Sequence, residues 1–435
     1  MNFIFGTCTM RNALSYALLL VIISVGAECG AAQCASALPQ QLEQEMTSIL
    51  DVAATDEGIT STTDFILLLE SGDGRKFNYS HGQSRRTTPY ESASTSKLPT
   101  AVIILTLVDQ GYLSLSSKPA DLISFWTGES SVTLRHLLSF TSGFNAEATC
   151  VHMPNADFKG CVQKIYEQQI GSQASPGTTF HYANSHLQIA GLMAVNAAGR
   201  GWREIFAEFQ AQTGLFTHSA YDLPSSTNPR LAGGMHWTAD DYQAFLHALY
   251  WNKRPKDNRP LLNQESYDML FSNQRGIATV SYSPIWQSIQ EDWSYGLGNW
   301  IECQTAKTTN SFNCPNHRVS CPGSYGAYPF IDFNNSYFGI VARQGNLATE
   351  EEGIHLFRTI QECAERWANG KGTTLQQCIA GDLDCNKMVD ILDLILVANS
   401  FGKSSGFDIR ADPNKDNAVN VYDLVIVGSN FGKTG

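Results

Sequence analysis

Strand-forming segments lie near both ends of residues 1–370, with a helix-rich stretch between them, and this layout limits the possible fold more than any other feature. Phe65 to Glu70 is a compact apolar run, Gly72-Asp73-Gly74 has turn chemistry, and Lys76 to Tyr79 alternates as a partner strand. Strong strand signals return only at Ser294 to Glu302, Gly326 to Asp332 and Tyr337 to Arg343, with Asn334-Asn335 placed for a hairpin turn. Helices are predicted over Gln41 to Asp51, Thr95 to Gln110 and His355 to Trp367, and the stretch from Thr133 to about Leu270 reads as helices and loops. Strands from opposite ends of one region bury their apolar faces best in a common sheet. The predicted class is therefore α/β (α+β): an antiparallel sheet built from both ends of the domain and flanked by helices, with an inserted, mostly helical domain beside it.

The chain has 435 residues, enough for two or three domains, and its 43% hydrophobic content is that of a globular protein rather than a disordered one. A net charge of −12 argues against a nucleic-acid partner, since no basic surface dominates. The first residues read as an export signal: Arg11 is a positive flank, Ala13 to Val25 an apolar run, and Ala35-Ser36-Ala37 a small-x-small cleavage pattern, with Gly30-Ala31-Ala32 as an upstream alternative. The run is shorter than the ~20 residues of a comfortable span, so cleavage is expected, with residues 1–37 as signal peptide, a secreted product (extracellular or periplasmic) and no membrane association afterwards. Of the 11 cysteines, Cys8, Cys29 and Cys34 precede a cut at Ala37, leaving 11 − 3 = 8, an even number that suits an oxidising compartment. Cys150 with Cys161 and Cys303 with Cys314 are candidate local bridges.

Ser94-Thr95-Ser96-Lys97 opens the apolar helix with the pattern Ser-x-x-Lys. Helix positions i and i+3 share a face, roughly 5–6 Å apart, so a Lys97 amine freed of its proton by desolvation could take the Ser94 hydroxyl proton during attack on a carbonyl. A position at the helix N-terminus would also aim backbone N–H groups at the developing oxyanion. Tyr182-Ala183-Asn184 follows Pro176-Gly177-Thr178-Thr179-Phe180 and precedes the helix Leu187 to Met193. The Tyr182 phenol beside a lysine ammonium is placed to relay protons, and the Asn184 amide to hold Lys97 or the substrate.

Together these motifs resemble the serine β-lactamase-related superfamily, which includes class C β-lactamases, D-Ala-D-Ala carboxypeptidases, D-aminopeptidases and esterases. The likeness runs from about Phe65 to Trp367, and Thr133 to Phe144, Arg230 to Gly234, Thr238 to Asp241 and Tyr295 to Gly298 agree with it in type and order. It implies one hydrolase domain over 38–369, with Ser94 as acylated nucleophile, Lys97 as base, Tyr182 as acid/base partner, and no cofactor for catalysis. The third family motif, usually Lys-Thr-Gly or His-x-Gly, is replaced by Cys321-Pro322-Gly323. Gly323 keeps a close backbone approach and the Ser324 N–H is placed as the second oxyanion donor, but the cation for a substrate carboxylate is missing. His317 or Arg318 are the candidates to supply it, and Cys321 is read as a disulfide partner. The expected substrate is a small ester, amide or peptide-like molecule. D-Ala-D-Ala peptidase or β-lactamase activity is the alternative, and an inactive binding or scaffold protein a further one. An α/β-hydrolase elbow is not expected, and no His-Glu-x-x-His zinc motif occurs.

Beyond a linker at 370–379, Asp393 to Gly402 recurs as Asp423 to Gly432, thirty residues on. Asp382, Asp384, Asn386, Asp390 and Asp393 stand at positions 1, 3, 5, 9 and 12 of a loop, and Asp412, Asn414, Asp416, Asn420 and Asp423 repeat that spacing. With the carbonyls of Met388 and Ala418 at position 7, these are oxygen ligands for two Ca2+ ions, in a small all-α calcium-loop domain over 380–435. The duplicate resembles a dockerin domain, which implies a cohesin-type partner. Position 6 is Lys387 or Asn417 rather than glycine, Ile391-Leu392 and Val421-Tyr422 are apolar, and Cys385 is placed to bridge to Cys378. The literal Lys433-Thr434-Gly435 belongs to this repeat and is read as coincidence.

Overall fold

A computed structural model describes Cys34, 38–303 apart from 57, 61–63, 129–130, 146 and 172, then 318–370, and further on 381, 383, 388–403, 411, 413 and 418–433. Phe65–Ser71 (β1) is buried along its whole length, as a central strand covered on both faces must be. Lys76–His81 (β2) alternates exposed and buried residues, as an edge strand does. β1 pairs antiparallel with β2 and, on its other side, with Tyr337–Arg343, which sets Phe65 opposite Arg343 and Ser71 opposite Tyr337. Between them in sequence come β3 (Ser294–Tyr295), β4 (Trp300–Ile301), β5 (Arg318–Ser320) and β6 (Tyr328–Asp332), with Tyr337–Arg343 as β7. The seven-stranded order β3-β4-β5-β6-β7-β1-β2 is antiparallel and joins both ends of the region, as predicted.

Side-chain alternation along β7 assigns its two faces. Phe338 meets Tyr250, while its neighbour Tyr337 meets Phe330 and Phe357 on the other side. The first face is covered by α4 (Ala239–Trp251), and the second by α5 (Glu350–Arg358). Beside α5 come α6 (Gln361–Asn369), which also packs on β1, and α1 (Pro39–Ala53), the two tied by the Trp367 indole N–H, which donates to Glu43 at 2.8 Å. Helices α2 (Lys97–Asp109) and α3 (Ser185–Ala198) are buried over most of their length, so they form the middle of the helical region rather than a surface layer.

Several expectations are corrected by packing. Ser294 to Glu302 is two short strands, not one, because Gly298 turns the chain with φ +76°; an added Cβ there would meet the Lys97 carbonyl oxygen and the Ala101 methyl, each at 2.7 Å. The closing helix from His355 to Trp367 is broken after Arg358 into α5 and α6. Cys321 is free and buried rather than disulfide-bonded. Cys150–Cys161 is formed, and Cys303 is disulfide-bonded while its expected partner Cys314 lies outside the described residues. Cys34, counted with the discarded leader, pairs with Cys363 on α6, and Arg366 donates to its carbonyl. A cut after Ala37 would remove that bond, whereas one at Gly30-Ala31-Ala32 would keep it.

The C-terminal repeat has its own small core of Val389, Val397, Ala411, Val419 and Val427, beneath α7 (Ile391–Ser400) and α8 (Val421–Asn430). Its halves exchange matched backbone bonds. Val389 N–H donates to Lys433 and Gly432 N–H to Val389, while Val419 N–H donates to Lys403 and Gly402 N–H to Val419, all at 2.8–2.9 Å. Among the described residues no helix is long and apolar enough to cross a membrane.

Candidate active site

Ser94 sits in a short 3-10 turn, Ala93–Ser96, that leads directly into α2. Ala93, just before it, takes φ +41°, a left-handed backbone that a non-glycine residue adopts only when its surroundings impose it. Those surroundings are visible. The Trp237 indole donates to Thr95 Oγ1 and the Tyr242 hydroxyl to the Thr95 carbonyl, both at 2.8 Å. Ser92 Oγ accepts from Met235 N–H at 3.0 Å and lies 2.5 Å from Ser96 Oγ. Beneath the turn the Cys321 thiol donates to the Ser94 carbonyl at 3.2 Å. Ser92, Ala93, Thr95, Ser96 and Lys97 are all buried, and Ser94 alone of this run is half-exposed.

Lys97 Nζ lies 2.8 Å from Ser94 Oγ, 2.8 Å from the Ala232 carbonyl oxygen and 3.4 Å from Asn184 Oδ1. All three are neutral acceptors. Burial without a contacting carboxylate disfavours the ammonium form and brings the Lys97 pKa down to about 8, with Arg230 lowering it further and Cys321 and Glu147 opposing. Tyr182 reaches the same pocket from the segment before α3, close enough for its hydroxyl to interact with the Ser94 side chain. Its ring lies 4.7 Å from Lys97 Nζ and stacks on Trp300 at 5.2 Å. Burial raises the Tyr182 phenol well above its ordinary value, so it keeps its proton. Desolvation thus outweighs the lysine at the phenol, and Lys97 rather than Tyr182 is the group suited to accept a proton.

The Tyr182 segment is fixed from behind by His186, whose Nε2 lies 2.8 Å from the His181 carbonyl oxygen and whose Nδ1 lies 2.9 Å from Ser142 Oγ. Burial depresses its pKa to about 3, so it is a neutral strut. Gly323 packs under the nucleophile turn, where a Cβ would meet the Ser92 carbonyl oxygen at 2.8 Å and Thr95 Cγ2 at 3.0 Å. Ser324 lines the pocket, and its carbonyl accepts from Thr349 N–H at 3.0 Å.

Ser94, Lys97, Tyr182, Asn184 and Ser324 thus share one pocket of about 530 Å³. Its remaining walls include Glu147, Tyr282, Trp300, Leu347 and Glu350, none of which belongs to a short motif. Arg318 does not supply the missing cation. It is 2% exposed and held by Asp332 at 2.8 Å and Glu365 at 2.9 Å; His317 lies outside the described residues. One Gly-x-Ser-x-Gly spacing does occur, Gly402-Lys403-Ser404-Ser405-Gly406. It follows helix α7 rather than a strand, which is the wrong context for an elbow.

Of the expected calcium ligands, Asp382, Asp384, Asn386, Asp412, Asn414 and Asp416 lie outside the described residues. The Asp393 carboxylate accepts from Leu383 N–H at 2.6 Å and Asp390 N–H at 2.8 Å. Asp423 accepts from Asn420 N–H at 2.8 Å through Oδ2, and its Oδ1, fully buried, has no donor among the described residues. Met388 and Ala418 stand beside Val389 and Val419, the residues that make the exchanged backbone bonds.

The Beta-lactamase family matches residues 67–355. Penicillin-binding protein 4 of Amycolatopsis lactamdurans is 26% identical over 142 residues, which are 31% of this chain and 36% of that protein, so the match spans about a third of its length. A candidate β-lactamase from Bacteroides dorei superposes with a TM-score of 0.60 at 25% identity, covering 75% of this chain and 98% of the other. The hydrolase EstCE1, described with promiscuous acyltransferase activity, gives 0.58 at 15% identity, over 74% of this chain and 99% of its own. Simvastatin synthase from Aspergillus terreus gives 0.54 at 16%, over 76% and 98%. A match that begins within β1 and ends within α5 takes in the sheet, the Ser94 turn and the Tyr182 segment alike, and the chain belongs to the β-lactamase family of serine hydrolases.

Proposed function

We propose that this protein hydrolyses small esters or amides through an acyl-enzyme on Ser94. The observation that carries this reading is the 2.8 Å contact between Ser94 Oγ and a buried Lys97 amine held only by neutral acceptors. Ser94 Oγ adds to the substrate carbonyl carbon as its proton passes to Lys97 Nζ. Collapse breaks the bond to the leaving group, which takes a proton through the Tyr182 hydroxyl, and Lys97 replaces it. Water then attacks the acyl-enzyme by the same relay in reverse, releasing the acid and restoring Ser94. The Ser94 and Ser324 N–H groups are the proposed oxyanion donors. Against efficient β-lactam or peptidase action stands the position of Arg318, which is committed to Asp332 and Glu365 and so supplies no carboxylate anchor at the third motif.

A fluorophosphonate probe and a chromogenic ester tested on wild type and Ser94→Ala examine the assignment. Labelling and ester turnover should both vanish in the variant. Equal labelling of the two proteins would end it, and rapid nitrocefin turnover with negligible ester cleavage would reverse the substrate ranking.

We further propose that the protein is exported, and that its C-terminal repeat holds two Ca2+ ions and serves as a dockerin-like appendage for a cohesin-type partner. The buried Asp423 Oδ1, which has no donor among the described residues, supports the ion, because such an oxygen is costly without a cation or donor. Asp390, Asp393, Asn420 and Asp423, with the Met388 and Ala418 carbonyls, would hold the ions together with the loop carboxylates. Calcium would supply folding free energy there and no chemistry at Ser94.

A further inference from the structure

Two carboxylates face the pocket that holds Ser94, and among the described residues no cation contacts either of them, Lys97 and Arg230 acting on Glu147 only through space. Glu147 enters from the loop after Phe144, and Glu350 heads α5 on the opposite side of the chain's order. Both act electrostatically on the Tyr282 phenol, which lies on the same wall. Neither makes an ion pair among the described residues. Glu147 accepts the Asn184 N–H at 2.6 Å, which fixes its carboxylate beside Lys97. The cations nearby direct their hydrogen bonds to other, uncharged groups. Lys97 is buried on Ser94, Asn184 and Ala232, and Arg230 donates to the Gly233 carbonyl at 2.8 Å with His152 against it at 2.7 Å. His181 lies on the pocket wall, but burial lowers its pKa and favours the neutral ring. Burial, with the like charge of Glu351, also raises the Glu350 pKa. The same pocket is lined by the aromatic and apolar side chains of Tyr282, Ile285, Trp300 and Leu347.

We infer that the pocket selects esters or amides bearing a protonated amine, with Glu147 and Glu350 as specificity-determining residues and the aromatic wall contacting the cation. This rests on the acyl-enzyme reading of Ser94 given above. An ammonium group gains from two carboxylates and from ring faces, whereas a substrate carboxylate meets like charge with no contacting anchor among the described residues to offset it. The pocket has thus reversed the charge preference of a site built around a cationic third motif.

Three nitrophenyl esters of matched length test it: the aminocaproate (cationic), the heptanoate (neutral) and the adipate half-ester (anionic). With the full-length protein, kcat/KM should fall in that order, by roughly tenfold per step. Glu350→Gln and Glu147→Gln should each shrink the cation-to-neutral ratio by about threefold or more, and the double variant should bring it near unity. The ratio is read within one protein, so a general loss of activity does not disguise the result. Equal rates, a preference for the anion, or a cationic preference untouched by both substitutions would overturn the proposal while leaving Ser94-dependent hydrolysis intact. No turnover of any ester, with equal probe labelling of wild type and Ser94→Ala, would instead defeat the acyl-enzyme reading and this inference with it.

Discussion

Lys97 can take a proton from Ser94 only when its own amine is neutral, and its surroundings are arranged for that. It is 1% exposed, and its three acceptors carry no formal charge. A base whose pKa falls to about 8 is mostly protonated at pH 6 and mostly free at pH 9, so activity must rise with pH across that range. The expected kcat/KM profile for a neutral ester has a rising limb with an apparent pKa near 8. Lys97→Arg should remove that limb and the activity together, since a guanidinium stays protonated. A flat profile from pH 6 to 9 in wild type would exclude Lys97 as the base. Tyr182 is tuned the other way, kept neutral by burial against Trp300 and Phe140.

At the level of elements, the site depends on how closely the β3–β4 hairpin approaches the start of α2. Gly298 N–H donates to the Leu138 carbonyl at 3.0 Å, and its Cα faces the backbone of Lys97. Positive φ and the absent Cβ are both needed there. Gly298→Ala should therefore displace Lys97 from Ser94 and destabilise the fold by about 1–3 kcal/mol through overpacking. The check pairs thermal unfolding with kcat: a stable protein of unchanged kcat would show that this contact does not position Lys97. The hairpin was not legible from its residues, because Ser294 to Glu302 alternates well enough to pass for one strand. What breaks it is contact with α2, a partner about two hundred positions away in sequence.

For the whole molecule, two separate apolar cores exist among the described residues, one spanning Cys34 to Ala368 and one confined to the C-terminal repeat. Among the described residues the second comprises five buried residues with three partly buried ones against them, and small domains gain much from a bound metal. Calcium is the proposed metal. Titration calorimetry on the full chain should register two sites, of which Asp423→Asn loses one. Calcium a hundredfold above its Kd should stabilise the repeat by about 2.7 kcal/mol. Absence of any calcium heat or thermal shift would remove the ions from the account.

The sequence by itself determined the sheet drawn from both ends, the Ser94, Lys97 and Tyr182 set, and the repeat, because each is written in local periodicity, spacing or duplication. Only the tertiary structure decided the rest. Cys321 became a buried thiol under the nucleophile, Arg318 a buried ion-pair partner, and Cys34 a partner of Cys363. It alone also brought Glu147 and Glu350 to one pocket from places about two hundred residues apart. Such pairings depend on which distant chains share a desolvated volume, and desolvation, not residue type, fixed the protonation of Lys97 and Tyr182. A four-residue motif can specify the attacking group, but the charge that greets the substrate belongs to the assembled pocket.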